Sequence, residues 1–563
     1  MRVTLLRPRP SGFMLFAALV SAVVTVLILF PLLQVVLAVF FPGGRFDPAP
    51  VLAALNEPGL LPLLRNTVLL VLGSTAIAVA IGSVFAWLTE RTDLGMAWLT
   101  RVLPIVPLLV PPIAGAIGWV LLAAPKSGFL NVWLRAALAR FGLDLADGPL
   151  NVFSWPGLVF VYVLYLVPEA YLIVSAGLRN IDPALEEAAR MSGSSPWQTL
   201  ARVTLPSVKP AIAAGAMLSL LTGFALFSVP VIIGPQAGVP VLSVRMVELM
   251  TAGFPPKTGS ALTLGLFVLA VTGMAWWLQS RVLRTGRHAV IAGRGMRVTA
   301  IRLGRWRGPA RAAMLAFLLM TSALPFAALV IVSLQPFWTA VIRPASFTLR
   351  NYDRLFAADF SRNALVNSVV LGIVGATVGV LLGAVIAFYL DRSRSQRIAR
   401  IVDGVTKLPG AVSHLIIGIA FVGSFAGPPF FLAGTTTLLL LAYLVLYMPQ
   451  ATFSASAALA QVGKELSEAS LMSGAAPGRT FLRVVLPLMT PGLAAVWVLL
   501  FVLMSGEITA SSMLAGTRNP VVGFVVLDLW TNGSYSALAA FGTLMSLITS
   551  TVVLGMLAVT RRR

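Results

Sequence analysis

Twelve strongly apolar stretches divide this chain of 563 residues. A run of about 20 apolar residues is long enough to cross a bilayer as a helix. Inside hydrocarbon a helix also satisfies its own backbone hydrogen bonds, which an open strand cannot do. In the first half the stretches lie near 13–40, 67–89, 103–124, 156–178, 209–233 and 260–280. In the second half they lie near 312–335, 366–390, 405–426, 435–457, 491–514 and 536–558. The expected fold is therefore all-α and integral to a membrane, with twelve transmembrane helices. Composition agrees: 58% of residues are hydrophobic and 11% charged, where a soluble domain carries about a quarter charged residues. The first stretch is too long for a signal-peptide core and lacks a small-residue cleavage site, so it is expected to be a retained span.

The net charge of +22 does not point to nucleic acid. The basic residues cluster beside apolar runs and lack the aromatic interleaving of single-strand binders. Cysteine is absent and the only histidines are His288 and His414, so a Cys- or His-rich metal site is not expected. Instead the Lys/Arg bias sets orientation. Arg2, Arg7 and Arg9 mark the N-terminus, Arg561 to Arg563 the C-terminus, and nine arginines the segment from Arg281 to Arg311. Even numbers of spans place all three on one side, and their charge makes that side the cytoplasm. The 281–311 segment reads as a basic cytoplasmic linker beside membrane lipid. It separates a first half, 1–280, from a second, 312–563.

The halves repeat each other. EEAARMSGSSPWQTLARVTLPSVKP begins at Glu186, and SEASLMSGAAPGRTFLRVVLPLMTP begins at Ser467, 281 residues later. A self-similarity at half the chain length indicates duplication. It extends further, with an offset of 301, from Asn66–Arg91 to Asn367–Arg392, where Glu90-Arg91 matches Asp391-Arg392. The first half therefore gains residues in between, around 125–155, where a short helix is expected at 129–140 on the outer side. Each half holds an even number of spans, so the two run parallel, related by an axis along the membrane normal. Gly375, Gly379 and Gly383, with Ser74, Ala78 and Gly82 at matching places, read as a close-packing stripe.

Both copies of the doubled segment fall in cytoplasmic loops, 179–208 and 459–489. In the first, Asp182 and Pro183 suit the start of a helix, and Gly193 suits its left-handed end. Ser195 and Pro196 then start a second helix running to Leu205-Pro206. The product is a helix-turn-helix elbow whose small face, Ala188, Ala189 and Gly193, fits a groove on a partner, with Glu187 positioned to meet a basic residue there. Gly463-Lys464 and Ala476-Pro477 give the second copy weaker starts, so the first elbow is expected to be the more rigid.

This spacing resembles the EAA loop of permeases in binding-protein-dependent ABC importers. That pattern is Glu-Ala-Ala, three residues, Gly, nine residues, an aliphatic, one residue, Leu-Pro. It is met by Glu187, Ala188, Ala189, Gly193, Val203, Leu205 and Pro206, and again by Glu468, Ala469, Gly474, Val484, Leu486 and Pro487, with Ser470 in place of the second Ala. The resemblance covers 60–280 and 360–558. It implies a type I importer permease in a bacterial inner membrane, with both termini cytoplasmic. It also implies that each loop is a coupling helix docking on one of two copies of an ABC ATPase subunit. A periplasmic or lipid-anchored substrate-binding protein is the second implied partner. No phosphate-binding loop of the Gly-Lys-Ser/Thr type occurs in the chain, so it is not an enzyme and binds no cofactor of its own. ATP and Mg belong to the partner ATPase.

The fused, twelve-span arrangement is most similar to the ferric-iron permease group, which also contains thiamine and phosphonate permeases. Ferric iron is the expected solute; thiamine, a phosphonate or a polyamine is the alternative, and an ion-gradient-driven secondary transporter is the further one. The iron-type pattern often carries an acidic residue just before the first-half Val-Pro, where this chain has Ala225 to Ser228. Ionisable groups within spans are candidate pathway residues. Glu507 leads, beside Ser505 and Thr509, followed by Ser228 and Glu169. Gln450 is the repeat counterpart of Glu169. His414, near the repeat position of Pro112, reads as structural.

Overall fold

A computed structural model describes residues 12–57, 59–96, 110–251, 253, 257–285, 300–393 and 395–561. Residues 286–299 of the linker, the terminal arginines apart from Arg561 and the start of the third stretch lie outside the described residues. Within them, nine helices are long and apolar enough to span a bilayer. The principal first-half helices are α1 (Gly12–Phe40), α2 (Leu60–Arg91), α3 (Pro112–Ala123), α4 (Phe129–Ala139), α5 (Trp155–Arg179), α6 (Pro183–Met191), α7 (Leu205–Ala225) and α8 (Thr258–Thr285). The second half has α9 (Leu324–Ser333), α10 (Asp359–Arg392), α11 (Gln396–Lys407), α12 (His414–Phe425), α13 (Thr436–Ala460), α14 (Lys464–Met472), α15 (Leu486–Ser505) and α16 (Tyr535–Arg561). Each of the twelve apolar stretches has a helical counterpart.

Among the described residues, three stretches are interrupted within their helical runs. The ninth bends by 109° between Gln396–Ala411 and α12. The fifth breaks after Ala225 and resumes as Ser228–Ile233, and the eleventh breaks after Ser505 and resumes as Ser511–Leu514. Hydropathy does not reveal the break at Leu226-Phe227, which is as apolar as the helices around it, whereas Gly506-Glu507 and Pro409-Gly410 mark the other two. In each case protein groups satisfy the interrupted backbone. The Tyr162 hydroxyl donates to Leu226 O at 3.1 Å. At the other break, Ala510 N donates to the Glu507 carboxylate at 2.9 Å.

The duplication is visible in matched contacts. The Asn66 amide donates to Pro240 O, and Leu242 N donates to the Thr67 hydroxyl. The Asn367 amide donates to Pro520 O, and Val522 N donates to the Ser368 hydroxyl. In both halves, then, the start of the second span holds the segment that follows the fifth-span break.

The compact units do not follow the sequence halves. One comprises 1–48, 359–525 and 551–563; the other comprises 49–358 and 526–550. In the first unit α1 packs on second-half helices: Phe13 lies 5.8 Å from Phe388 and 5.1 Å from Phe481, and Phe30 lies 5.6 Å from Phe425. In the second unit the seventh span packs on first-half helices. Phe85 meets Phe317 at 5.4 Å, and the Trp119 indole donates to Met320 O. Each half thus gives its first span to the helices of the other. The insertion in the second unit contains the expected helix as α4. Buried Asn131 ties it down, donating to Ala124 O and Leu150 O and accepting from Leu150 N.

The small-residue stripe serves packing. A Cβ on Gly82 would lie 2.9 Å from Ala170 Cβ, and one on Gly383 would lie 2.7 Å from Ala451 O. Ala170 and Ala451 are repeat counterparts, so the second and fourth spans approach in the same way in both units. Gly383→Val should therefore cost about 1–3 kcal/mol through overpacking, read as a lower unfolding midpoint of the detergent-solubilised chain. Gly73→Ala, at a site with nothing within 4 Å, should leave that midpoint in place.

Candidate functional site: two elbows and a buried carboxylate

The first elbow forms as its residues dictate. The Asp182 carboxylate accepts from Ala184 N at 2.9 Å and caps α6. Gly193 closes the helix at φ +84°. Ser195 and Gln198 form a reciprocal capping box at the next short helix, Pro196–Thr199. A π-turn, Leu200–Thr204, then leads into α7. The second elbow repeats the path, with Gly474 at φ +81° and a π-turn at Phe481–Val485. Neither Gly463 nor Ala476 caps its helix with a side chain. The two elbows thus share a backbone but differ in end stabilisation, each side-chain N-cap typically adding ~1 kcal/mol.

Their outward faces match. Leu185, Ala188 and Met191 are exposed on α6, and Leu466, Ala469 and Met472 are exposed at the same repeat positions on α14. Met191 is 89% exposed and Met472 90%, so neither packs on its own chain. Gly193 and Gly474 are exposed beside them. Glu187 is half-buried and Glu468 exposed, while Ala189 and Ser470 turn partly inward. Leu205-Pro206 and Leu486-Pro487 sit at the start of α7 and α15. The Leu and Met pairs are additions to the motif that spacing alone did not single out.

The inward faces differ. Glu186, next to the motif glutamate, is 2% exposed. Its carboxylate accepts from Arg91 Nε at 3.1 Å and from the Thr204 hydroxyl at 2.7 Å, and Arg91 also donates to Leu178 O at 2.7 Å. This cluster fastens the first elbow to the ends of α2 and α5. In the second elbow Ser467 replaces Glu186, Val485 replaces Thr204, and Arg392 donates to the Ser467 hydroxyl. Ser470 replaces Ala189 and gives Thr480 a hydroxyl partner at 3.0 Å, whereas the buried Thr199 hydroxyl at the matching place has no hydrogen-bond partner among the described residues. The elbows are thus anchored by an ion pair in one copy and by neutral hydroxyls in the other. Adjacent glutamates point to different faces of a helix, and Arg91 lies 95 residues away, so the sequence did not separate the anchoring Glu186 from Glu187.

Glu507 lies in the break of the eleventh stretch, and its side chain is 5% exposed. Its carboxylate meets His414 Nδ1 at 3.1 Å, the Tyr447 hydroxyl, and Ala510 N. The neighbouring hydroxyls do not reach it. Ser505 turns back to Val502 O, Ser511 donates to the backbone O of Glu507, and Thr509 is buried nearby. His414, expected to be structural, faces this carboxylate. In the other unit Glu169 accepts from the Thr222 hydroxyl at 3.2 Å, and Ser228 is buried at the start of its short helix. Of the residues expected to line a pathway, Glu507, Ser505 and Thr509 belong to one compact unit, and Ser228 and Glu169 to the other.

Removing Arg91 would leave the buried Glu186 carboxylate with Arg190, 4.0 Å away, as its remaining ion-pair partner, at a cost of about 1–3 kcal/mol for the hydrogen bonds lost. Arg91→Met should thus destabilise the first elbow, seen as rapid proteolysis near 182–200 in limited digestion of purified membranes. Arg392→Met, which removes a charge facing Ser467, should have a smaller effect at the second elbow.

Comparison with known proteins accords with this geometry. The family described as "Binding-protein-dependent transport system inner membrane component" matches residues 78–284 and 379–563, once in each half. A "Ferric transport system permease protein FbpB" of Actinobacillus pleuropneumoniae is 23% identical over 96% of this chain and 77% of its own length. A "Putative ferric transport system permease protein FbpB 1" of Haemophilus influenzae is 24% identical over 84% of this chain and 73% of its own. A solved bacterial ABC transporter for import of the acidic polysaccharide alginate aligns with 49% of this chain and 96% of its own, at 20% identity and a TM-score of 0.38. With its family matched in both halves, over most of its length, the chain belongs to the inner membrane components of binding-protein-dependent transport systems.

Proposed function

We propose that this permease carries ferric iron from a periplasmic or lipid-anchored binding protein into the cytoplasm, driven by ATP hydrolysis on two copies of a separate ATPase subunit. The carrying observation is the pair of elbows, which expose the same apolar face at the same repeat positions while anchoring differently behind it. Exposed apolar side chains so placed are the mark of a docking surface, and two equivalent surfaces fit two equivalent partners. In this reading the elbows, the linker and both termini lie on the cytoplasmic side, where ATP is held with Mg on the ATPase. The ferric solute rests on the names of the full-length relatives and on Glu507, a carboxylate at a break in a span. A carboxylate would serve a cationic polyamine or thiamine too, so the preference for ferric iron rests on the relatives matched over both halves.

Replacing Glu187 and Glu468 by Ala, or Met191 and Met472 by Ser, should weaken ATPase association by about 1–2 kcal/mol per elbow. Ferric uptake should fall in parallel, with membrane insertion unchanged, as read by co-purification and radiolabelled uptake. Loss of Glu187 should impair uptake more than loss of Glu468, because the first elbow is capped and ion-paired. Normal uptake in both double variants, or uptake by the chain alone in vesicles without ATPase, would sink the reading.

A further inference from the structure

The geometry points to a site for a hard metal cation, built from Glu507, Tyr447 and His414. We infer that these three form a transient contact for the transported ion, an assignment that rests on the ferric reading above. Three separate elements bring them together. His414 is the first residue of α12, immediately after the 109° bend. Tyr447 lies in α13, and Glu507 in the break between α15 and the short helix Ser511–Leu514.

Two discontinuous spans meeting at buried polar groups is the arrangement that marks substrate and ion sites in transporters, because irregular backbone at membrane depth persists where it lines a site. The approach is close. Gly418 of α12 sits against the broken segment, so that a Cβ there would lie 3.2 Å from Ala510 Cα. The donors are one carboxylate, one phenol and one imidazole. The oxygen donors suit a small, highly charged cation, and imidazole suits iron among other transition metals.

The spacing suits one as well. Octahedral ligands at about 2.0–2.1 Å from a small ion stand about 2.9 Å from one another at right angles. His414 Nδ1 and the Glu507 oxygen are already 3.1 Å apart, and the Tyr447 hydroxyl bonds to that same oxygen. An entering ion would replace these hydrogen bonds with coordination, and the phenol proton would pass to water. The iron stays ferric throughout. The His414 side chain is 25% exposed while the other two are buried, so the ion would enter past the imidazole. A second layer holds the site: the Ser511 hydroxyl donates to Glu507 O at 2.7 Å, and Tyr443 bonds to Ser511. Three donors are few for a tight site, as a transport site needs, since the ion must leave again. The first half lacks the set, with Leu226 and Leu166 at the repeat positions of Glu507 and Tyr447, so each chain has one such site.

The test is titration of the purified full-length chain in detergent with ferric nitrilotriacetate, read as the visible charge-transfer absorption of an iron–phenolate bond. Wild type should show the band. Tyr447→Phe should lose it, Glu507→Gln and His414→Gln should weaken binding about tenfold or more, and Tyr443→Phe should keep it. Ferric uptake by the complete importer should fall in the same order. Absence of the band in wild type, or its survival in Tyr447→Phe, overturns the site, and ferric uptake that persists under those outcomes leaves the proposed solute standing. A band in a chain whose complete importer takes up no ferric iron keeps the cation site and rejects the solute.

Discussion

Every backbone polar group that crosses hydrocarbon must find its partner within the protein, and that constraint governs this structure. It explains why the apolar stretches are helices and why the breaks in the fifth and eleventh stretches coincide with side chains that meet the interrupted backbone. Tyr162 does so at Leu226 and Glu507 does so at Ala510. Packing follows the same logic. With lipid as apolar as leucine, little drives helices together except close fit, and Gly82 and Gly383 supply it against the fourth span of each repeat.

At the membrane edge the rules change, and charge becomes affordable if paired. The Arg91–Glu186–Thr204 cluster fixes the first elbow to two spans at once, so a displacement of α6 must be felt at the ends of α2 and α5. The second elbow keeps the arginine and dispenses with the acid. An ancestral duplication would begin with two identical anchors; here the outer faces have stayed alike while the inner ones have diverged. That pattern is expected if the outer faces answer to identical partners and the inner faces only to their own spans.

Much of this was legible in the sequence, and the remainder was hidden for identifiable reasons. The spans, the elbows, the caps at Asp182 and Ser195 and the left-handed turns at Gly193 and Gly474 are local features, written within a few residues. The break at 226–227 was hidden, since Leu226 and Phe227 carry the same hydropathy as a helix interior. The roles of Glu186 and His414 were hidden because their partners, Arg91 and Glu507, stand 95 and 93 residues away. The exchange of first spans was hidden because a repeat in sequence says nothing about which copy each helix joins.

That exchange has a consequence for how the protein is made. The first span is synthesised more than 300 residues before the helices of 359–525 that it packs on. At roughly 5–20 residues per second, α1 waits in the bilayer for tens of seconds without its neighbours. During that time its Phe13 and Phe30 rings face lipid or the insertion machinery. The first half cannot finish assembling until translation is nearly done, so the two halves mature as a single interlocked event, and a ribosome that stalls in the linker would leave an orphan span open to quality-control proteases.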